Sequence, residues 1–390
     1  MTSLPSPSVE AKSHSQRLLH YISEQIQQQQ RPLSFAEYMQ ACLYTPQLGY
    51  YQAGKATIGP AGDFTTAPEI SPLFAKAMAK QVADVYHQIT GDRILLEFGA
   101  GRGTLALGLI TALQSENVPL SAYWIIETSP ILKHLQYETL AAALPHFIDH
   151  IHWLDHLPDQ FTGVIIANEV CDAMPVERLQ FSGETTLQQM IAIHQGQLSS
   201  QWHAINDERL ARRAAAIEPL IPAAQPYQVE INFAAEAWIS SIATILTQGA
   251  AFIVDYGYPQ DTLYHPQRSQ GTLMCYYQHQ GHDDPLLWPG LQDITAHLNY
   301  TALAEVAHQQ GLHVAGFHHQ ADFLLAADIT AILGTVQHDL DPLAQLQESA
   351  AVKQLLLPSA MGENFKVLTL TRALPELLTR LQSADRRYQL

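Results

Sequence analysis

The stretch from Ile94 to Thr104 constrains the fold of this chain more than any other part of its sequence. A short apolar run that contains one acidic residue, Glu97, is followed by three glycines at alternate positions and then by leucines at helical spacing. That order predicts a strand, a glycine turn and the start of a helix. Glycines lack a Cβ atom and tolerate positive φ, and a helix N-terminus presents unpaired N–H groups. We therefore expect a nucleotide-like ligand to sit on bare backbone after this strand.

The spacing of the glycines distinguishes between two kinds of nucleotide site. The dinucleotide fingerprint GxGxxG would need a glycine at position 104, where this chain has Thr104. The pattern ExGxGxG instead resembles motif I of the class I S-adenosylmethionine methyltransferases, in which the acidic residue faces the cationic amino acid end of the cofactor. A carboxylate at Glu97 would repel a phosphate, whereas it would attract a sulfonium and an ammonium. A merely structural strand, turn and helix is the alternative for this stretch taken alone.

The composition indicates a folded globular protein with an acidic balance. The 390 residues suffice for one large α/β domain with insertions or for two domains. Hydrophobic residues make up 47% of the chain and charged residues 15%, which excludes a disordered protein. The net charge of −17 argues against sequence-independent binding to nucleic acid or to an anionic membrane, and it mildly favours a basic partner.

Neither the cysteines nor the histidines indicate a metal site. The three cysteines are far apart and form no CxxC pair, so the sequence predicts no disulfide framework and no thiolate ligand set. Four histidines mix helical and strand-like spacings without an HExxH motif, and we predict no metal there. They are His146, His150, His152 and His156.

The chain shows no targeting segment and no candidate membrane span. Its N-terminus has no apolar signal core and no arginine-rich amphipathic presequence. Nowhere do 18 uninterrupted apolar residues occur. We expect an enzyme of the cytoplasm that does not insert into a membrane.

Strand and helix patterns alternate along most of the chain, and the strands are almost continuously apolar. This predicts an α/β fold with a doubly wound, mostly parallel sheet. The predicted parallel strands are 94–98, 122–127, 163–167 and 250–255. Two further strands, 313–318 and 365–370, are expected to pair as an antiparallel edge.

The predicted domain organisation places extra segments around this core. Residues 1–12 are expected to form a flexible tail, and 13–92 to form N-terminal helices and a loop that covers the cofactor. The core extends over 93–375, with insertions at about 176–233 and 257–299 where the strand and helix rhythm breaks. Residues 376–390 are expected to be a tail or a helix.

Polar residues follow the ends of two predicted strands. Glu127 lies 24 residues beyond Gly103 at the end of the second strand, where an acidic residue accepts hydrogen bonds from ribose hydroxyls. Its alternative is an exposed acid at a strand end. Asn168 and Glu169 follow the predicted strand 163–167, and with Asp172 they are placed to orient a polar acceptor such as a guanidinium or an amide. Alternatively, Asp172 merely shapes the start of a helix.

Several stretches together resemble the MidA-like methyltransferases, whose mitochondrial members act in the assembly of respiratory complex I. The resemblance covers about residues 38–370, nearly the whole chain, and the run GDFTTAPEIS is its most specific part. The stretches that carry it are 48–51 (LGYY), 62–71 (GDFTTAPEIS), 96–105 (LEFGAGRGTL), 126–130 (IETSP), 167–169 (ANE), 172–175 (DAMP), 255–258 (DYGY), 293–297 (DITAH) and 361–368 (MGENFKVL).

The resemblance implies a class I methyltransferase core with an added N-terminal helical part and an inserted subdomain, and S-adenosyl-L-methionine as cofactor. It also implies methylation of an arginine on a protein partner, such as a subunit of a respiratory complex. We expect Glu169 with Asp172 to orient the guanidinium, and the loop through Asp63, Thr66 and Glu69 to close over the cofactor. The expected cofactor contacts are Glu97, Gly99, Ala100, Gly101, Glu127, Thr66 and Asn168.

Two other functions are compatible with the same sequence. The fold can serve mainly as an assembly or interaction module that binds the cofactor but turns over little. Alternatively, the chain methylates a small molecule or an RNA, although its acidic balance argues against RNA.

Overall fold

The computed structural model of the protein describes residues 4–54, 65–183, 185–222, 226–338 and 340–390. In chain order, its α-helices are α1 (Val9–Gln29), α2 (Phe35–Tyr44), α3 (Ala67–Ile70), α4 (Pro72–Tyr86), α5 (Thr104–Ser115), α6 (Pro130–Ala143), α7 (Glu208–Ile217), α8 (Phe233–Ile245), α9 (Gln260–Leu263), α10 (Tyr300–Gln309), α11 (Gln320–Ala326), α12 (Ile329–Gln337) and α13 (Pro342–Leu356).

The strands of the same residues form three sheets. They are β1 (Leu33–Ser34), β2 (Ile94–Phe98), β3 (Ala122–Ile126), β4 (Ile151–Leu154), β5 (Phe161–Asn168), β6 (Glu177–Phe181), β7 (Thr186–His194), β8 (Gln197–Ala204), β9 (Tyr227–Ile231), β10 (Leu246–Tyr258), β11 (Met274–Tyr277), β12 (Gln280–His282), β13 (Asp293–Thr295), β14 (Leu298–Asn299), β15 (His313–His319) and β16 (Phe365–Arg372).

The central sheet has the strand order β15-β16-β10-β5-β2-β3-β4, with β14 added beside the end of β10. The strands from β10 to β4 are parallel, whereas β16 is antiparallel to both of its neighbours. This confirms the predicted mostly parallel sheet with an antiparallel pair at one edge. The parallel strands are apolar along most of their length because helices cover the sheet on both faces.

One helical layer lies on each face of the central sheet. The helices α4 and α5 pack with α11 to α13 on the face to which Leu95 and Phe252 point. The helices α8 and α10 cover the opposite face, where Leu96 and Ile253 are buried. Adjacent residues of one strand thus enter different cores, which is the alternation that a pleated strand imposes.

Two smaller sheets are built from the insertions. The first contains β6, β7, β8 and β9 and takes in the short N-terminal strand β1, which pairs with β7. The second has the order β12-β11-β13. A separate apolar cluster joins α1 and α2 to this second sheet through Leu18, Phe35, Cys275 and Ile294. The N-terminal helices are therefore anchored to the insertions rather than to the central sheet.

Local capping signals place the starts of several helices. Ser34 and Glu37 form a capping box at α2, with both reciprocal hydrogen bonds present. Ser71 caps α4, and Pro72 is the first residue of this helix. Proline is tolerated there because the first N–H of a helix has no helical partner, so its absence costs no hydrogen bond.

The structure differs from the sequence prediction at both ends and in one strand. Helix α1 begins at Val9, inside the predicted tail, because the Ser8 side chain accepts a hydrogen bond from the N–H of Ala11. Residues 379–382 and 387–389 form two short 3-10 turns, and Arg387 ties the second of these to the carbonyl of Val314. The strand β4 was not predicted, because its sequence IHWL is short and half-exposed.

Two glycines allow the middle of the central sheet to form. Gly163 in β5 and Gly249 in β10 are register partners, with φ of 149° and 136°. A Cβ atom at Gly249 would lie 1.8 Å from the carbonyl oxygen of Gly163, and one at Gly163 would lie 2.1 Å from that of Ile94. Only residues without a side chain permit this approach of three backbones.

We expect Gly249→Ala to destabilise the protein by about 1–3 kcal/mol, because the added methyl group overlaps rigid backbone. Urea or thermal unfolding of the two proteins measures the change. Gly334→Ala is the matched control, since Gly334 lies inside α12 with no atom within 4 Å of the added Cβ. That variant should be neutral or more stable by about 0.5–1 kcal/mol, as alanine favours a helix over glycine. Equal stability of Gly249→Ala and wild type would contradict this role.

Candidate active site

A cavity of about 860 Å³ lies beyond the carboxyl ends of the parallel strands. The register aligns these ends, because Phe98 of β2 lies beside Ile126 of β3 and Ala167 of β5. Ligands of open α/β sheets bind at this edge, and the volume lies in the range of small-molecule sites. Of the residues predicted from the sequence, those that line the cavity are Thr66, Glu69, Glu97, Gly99, Ala100, Gly101, Glu127, Asn168 and Glu169.

The glycine turn has the backbone that its sequence predicts. Gly99, Gly101 and Gly103 have φ of 61°, 54° and 84°, which is the left-handed region that favours glycine. The N–H of Gly99 donates to the carbonyl of Ile126 at 3.0 Å, so the turn is tied to the end of β3. Helix α5 starts at Thr104 without a side-chain cap. No side chain caps the first N–H groups of this helix, and Thr104 and Leu105 at its start line the cavity.

Glu97 is a buried carboxyl group at the end of β2. It is 2% exposed, and the Tyr123 hydroxyl donates to its Oε2 at 2.7 Å. Burial raises the pKa of Glu97 to about 8, although the bond from Tyr123 opposes this shift. A cation in the cavity would favour the ionised form of this group, as expected for the amino acid end of a ligand.

Glu127 is held at the end of β3 by two hydrogen bonds. Its Oε1 accepts from the N–H of Ser129 at 2.8 Å, and its Oε2 accepts from the Gln136 amide at 2.9 Å. The same amide nitrogen of Gln136 reaches the carbonyl of Gly101, and Trp153 in turn holds the oxygen of that amide. Each carboxylate oxygen has a second lone pair, so Glu127 can still accept hydrogen bonds from a vicinal diol.

Asn168 and Glu169 form the cavity wall after β5. Glu169 has φ of 56°, which is uncommon for a residue with a side chain and is typical of functional sites. Its Oε1 accepts from the N–H of Ala67 at 3.2 Å and from the Asn168 amide at 3.1 Å. Burial raises the pKa of Glu169 to about 8. The Asn168 side-chain oxygen is buried and has no hydrogen-bond donor among the described residues.

Asp172 does not line the cavity but lies behind its wall. Its N–H donates to Oδ2 of Asp255, as does the N–H of Cys171. Burial and the neighbouring carboxylates of Asp255 and Asp293 raise the pKa of Asp172 well above its usual range. Residues 170–176 contain turns and no helix, so Asp172 is not a helix cap. The expectation that Asp172 touches an acceptor directly stays a prediction, and its position fits an indirect contribution better.

The segment before α4 closes another side of the cavity. Thr66, Pro68 and Glu69 line it, and the Thr104 hydroxyl at the start of α5 donates to Glu69. Part of the loop that was expected to cover the cofactor, including Asp63, lies outside the described residues.

Sequence reasoning missed the aromatic wall and two of the buried acids. Tyr44 and Tyr51 line the cavity from the N-terminal segment, although the sequence places them far from the glycine turn. Asp255 and Asp293 join Asp172 behind the wall. Both acids lie within motifs that carried the family resemblance, DYGY and DITAH, and this signal was sufficient to single them out, although the sequence predicted no role for them.

The described residues contain no group of three or more His, Cys, Asp and Glu side chains that could hold a metal ion. None of their helices combines the length and apolar character that crossing a membrane requires.

Comparisons with known proteins show which family the chain resembles. Residues 77–318 match the profile of a family described as S-adenosyl-L-methionine-dependent methyltransferases. A crystal structure of a methyl transferase from Burkholderia thailandensis, bound to S-adenosylhomocysteine, is 38% identical with a TM-score of 0.93, and the match covers 100% of both chains.

Curated relatives carry a more specific name. The mitochondrial protein arginine methyltransferase NDUFAF7 of Homo sapiens is 29% identical over 369 residues, which are 87% of this chain and 80% of the relative. Its homologue in Drosophila melanogaster is 28% identical over 367 residues, which are 87% and 81% of the two chains.

Replacement of Glu127 tests the expected ribose contact. We expect Glu127→Ala to weaken binding of S-adenosylhomocysteine about 10- to 100-fold, because charge-assisted hydrogen bonds to hydroxyls are lost. Isothermal titration calorimetry measures this affinity. Glu138→Ala removes the same charge from an exposed position on α6 and should leave affinity unchanged. Equal affinities of wild type and Glu127→Ala would refute the contact.

The pH dependence of the same affinity tests Glu97. Because the pKa of Glu97 is about 8, its carboxyl is protonated at pH 6 and does not attract an ammonium group. Affinity for S-adenosylhomocysteine should therefore increase from pH 6 to 8, by up to about tenfold per pH unit for one linked proton. Calorimetry over this range measures the slope. Glu97→Gln should bind weakly at every pH, and a slope retained in that variant would assign the proton to another group, such as Glu169.

Proposed function

This chain belongs to the family of S-adenosyl-L-methionine-dependent methyltransferases matched by residues 77–318, and from this premise we propose that it methylates an arginine side chain of a protein partner. S-adenosyl-L-methionine is the cofactor of the family and supplies an electrophilic methyl group when bound. The names of the curated relatives support arginine as the acceptor.

The residues around the glycine turn fit this cofactor. We assign Glu97 to its ammonium group and Glu127 to its ribose hydroxyls, while the bare backbone of Gly99, Ala100 and Gly101 allows close approach. The side-chain oxygen of Asn168 accepts no hydrogen bond from the described residues, and a ligand with N–H or O–H groups can donate one to it.

The observation that carries the acceptor assignment is the carboxyl group of Glu169 in the cavity wall. A guanidinium is a poor nucleophile, because its lone pairs are delocalised and it stays protonated near neutral pH. It needs a carboxylate that orients one nitrogen and accepts the proton released as the new N–C bond forms. Burial raises the pKa of Glu169 to about 8, so once a cationic acceptor favours its ionisation, its carboxylate is a stronger base than that of an ordinary glutamate.

The surroundings of Glu169 favour a cationic acceptor. The carboxylates of Asp255 and Asp293 act on Glu169 from behind the cavity wall, and Asp172 belongs to the same acidic group. Entry of a guanidinium favours ionisation of these buried acids, and their negative potential then stabilises the bound cation. Asp172 in this proposal acts through the potential at Glu169, without touching the acceptor. The net charge of −17 favours a basic protein as partner.

Positioning accounts for the rest of the reaction. Methyl transfer from a sulfonium to nitrogen proceeds in line, so the acceptor nitrogen must lie opposite the leaving sulfur. The glycine turn fixes one reactant and the wall formed by Asn168 and Glu169 fixes the other. Holding two reactants in this geometry lowers the barrier by several kcal/mol without any covalent intermediate.

Replacement of Glu169 tests this proposal. We expect Glu169→Gln to reduce methyl transfer about 10²- to 10⁴-fold, because the group that orients and deprotonates the acceptor is lost. The affinity for S-adenosylhomocysteine should change little. Methyl transfer from labelled S-adenosyl-L-methionine to proteins of a cell lysate measures the rate, and peptide mapping identifies the labelled side chain. Wild-type turnover should also increase as the pH rises towards 8, where Glu169 ionises.

Glu116→Gln is the matched control for that variant. Glu116 is exposed at the end of α5 that lies away from the glycine turn, so its loss should not change the rate. Unchanged turnover of Glu169→Gln would refute the role of Glu169. Cofactor binding without methylation of any lysate protein would instead indicate an assembly module, and label on lysine or on RNA would refute arginine.

A further inference from the structure

Two stacked tyrosines form a wall of the cavity that the proposed reaction has not used. Tyr44 is the last residue of α2, and Tyr51 lies in the turn region that follows. Their ring centroids are 5.6 Å apart with an interplanar angle of 20°. Tyr50 packs edge-on against Tyr51 from inside the N-terminal core. The pair is therefore a rigid aromatic surface that belongs to neither the glycine turn nor the central sheet.

Both hydroxyl groups are engaged away from a ligand. The Tyr44 hydroxyl donates to the carbonyl of Ala173 at 3.0 Å, and the Tyr51 hydroxyl donates to Oδ1 of Asp293 at 2.8 Å. That oxygen of Asp293 also accepts from the N–H of Ile294. Since a phenol has one proton to donate, the rings rather than new O–H donors are what this wall offers to a ligand.

The wall lies on the acceptor side of the cavity. Tyr44 is bound to Ala173 in the loop after β5, which also carries Glu169, and Tyr51 is bound to Asp293 of β13. The neighbouring Gln52 donates to the carbonyl of Thr128, so the same turn also reaches the loop of the ribose residue Glu127. The segment of the two tyrosines is thus tied both to the loop that carries Glu169 and to the loop after Glu127.

The electrostatic surroundings of the pair are acidic. The acidic groups of Asp293 and Asp172 interact electrostatically with both Tyr44 and Tyr51. Glu127 also interacts electrostatically with Tyr44. An aromatic face with carboxylates behind it attracts a cation more strongly than either feature alone.

A separate observation indicates a ligand with N–H donors at this end. The Asn168 amide nitrogen donates to Glu169, which leaves the amide oxygen as an acceptor. That oxygen is buried, and no described residue donates to it. Native structures rarely leave a buried acceptor unsatisfied, so a donor from a bound molecule is the expected partner.

We propose that the stacked Tyr44 and Tyr51 rings form the face against which the acceptor guanidinium packs, with Asp293 positioning Tyr51 for this contact. This inference rests on the proposed function. A guanidinium is planar and weakly hydrated, so it stacks on an aromatic face while its N–H groups reach Glu169 and the Asn168 oxygen. A lysine ammonium is compact and strongly hydrated, and it gains less from a flat face. The wall therefore selects arginine over lysine.

The test measures binding of two small probes to the protein saturated with S-adenosylhomocysteine. The probes are the N-acetyl amides of arginine and of lysine, and calorimetry gives both affinities. Wild type should bind the arginine probe more tightly than the lysine probe. Tyr51→Leu should weaken the arginine probe about tenfold and remove the preference, because the aromatic face is lost. Affinity for S-adenosylhomocysteine should stay within about twofold, since the cofactor contacts assigned above are intact.

Two further variants distinguish the loss of a contact with the probe from a loss of folding. Tyr137→Leu removes an exposed tyrosine from α6 and should leave both probes unchanged. Tyr51→Phe keeps the ring but loses the hydrogen bond to Asp293, so it should weaken the arginine probe less than Tyr51→Leu does. In steady-state assays with an arginine acceptor, Tyr51→Phe should raise KM with little change in kcat. A merely structural role would lower stability without this split between KM and kcat.

The outcomes separate this inference from the proposed function. If Tyr51→Leu weakens S-adenosylhomocysteine as much as the arginine probe, the rings belong to the cofactor site and the inference is overturned. The inference is also overturned if Tyr51→Leu binds the arginine probe as tightly as wild type does, or if wild type does not bind this probe. If the arginine probe binds through Tyr51 but no arginine is methylated, the result supports the role of the tyrosine rings in binding and refutes the proposed reaction. Should Tyr51→Leu not fold, Tyr51→Phe decides through its KM.

Discussion

The burial of carboxyl groups at the ends of the parallel strands is the constraint on which the site depends. Glu97 and Glu169 each have a pKa of about 8, because taking an ionised carboxylate out of water is unfavourable. Both carboxyl groups are protonated in the free protein near neutral pH, and their ionisation becomes favourable when a cation enters the cavity. In the function that we propose, Glu97 faces the cationic end of the cofactor and Glu169 faces a cationic acceptor.

Such a site needs a rigid frame, and the central sheet provides it. The apolar strands β2, β5 and β10 are buried under helices on both faces, and the close approach at Gly163 and Gly249 sets their spacing. The functional groups lie only where these strands end. The free energy lost by burying carboxyl groups is small compared with the apolar burial of such a sheet, so the fold tolerates it.

The cavity is completed by segments that are distant in sequence. The N-terminal turn contributes Tyr51, the second small sheet contributes Asp293, and the hydrogen bond between them joins the two across 242 residues. The segment before α4 reaches Glu169 through the N–H of Ala67. The added N-terminal part and the insertions therefore distinguish this protein from a bare methyltransferase core, and we propose that the walls they supply select the acceptor.

The sequence by itself determined the local features of the fold and several residues that line the cavity. The spacing of Gly99, Gly101 and Gly103 required a left-handed turn, Ser34 with Glu37 required a helix start, and Glu97 and Glu127 followed from their positions at strand ends. Each of these depends on residues close together in the chain, where local geometry leaves few choices. Only the tertiary structure placed Asp172 behind the cavity wall, added the half-exposed strand β4, and brought Tyr44 and Tyr51 opposite the glycine turn. Those features depend on packing between segments that are distant in the chain, and the local residue pattern around each position does not predict such packing.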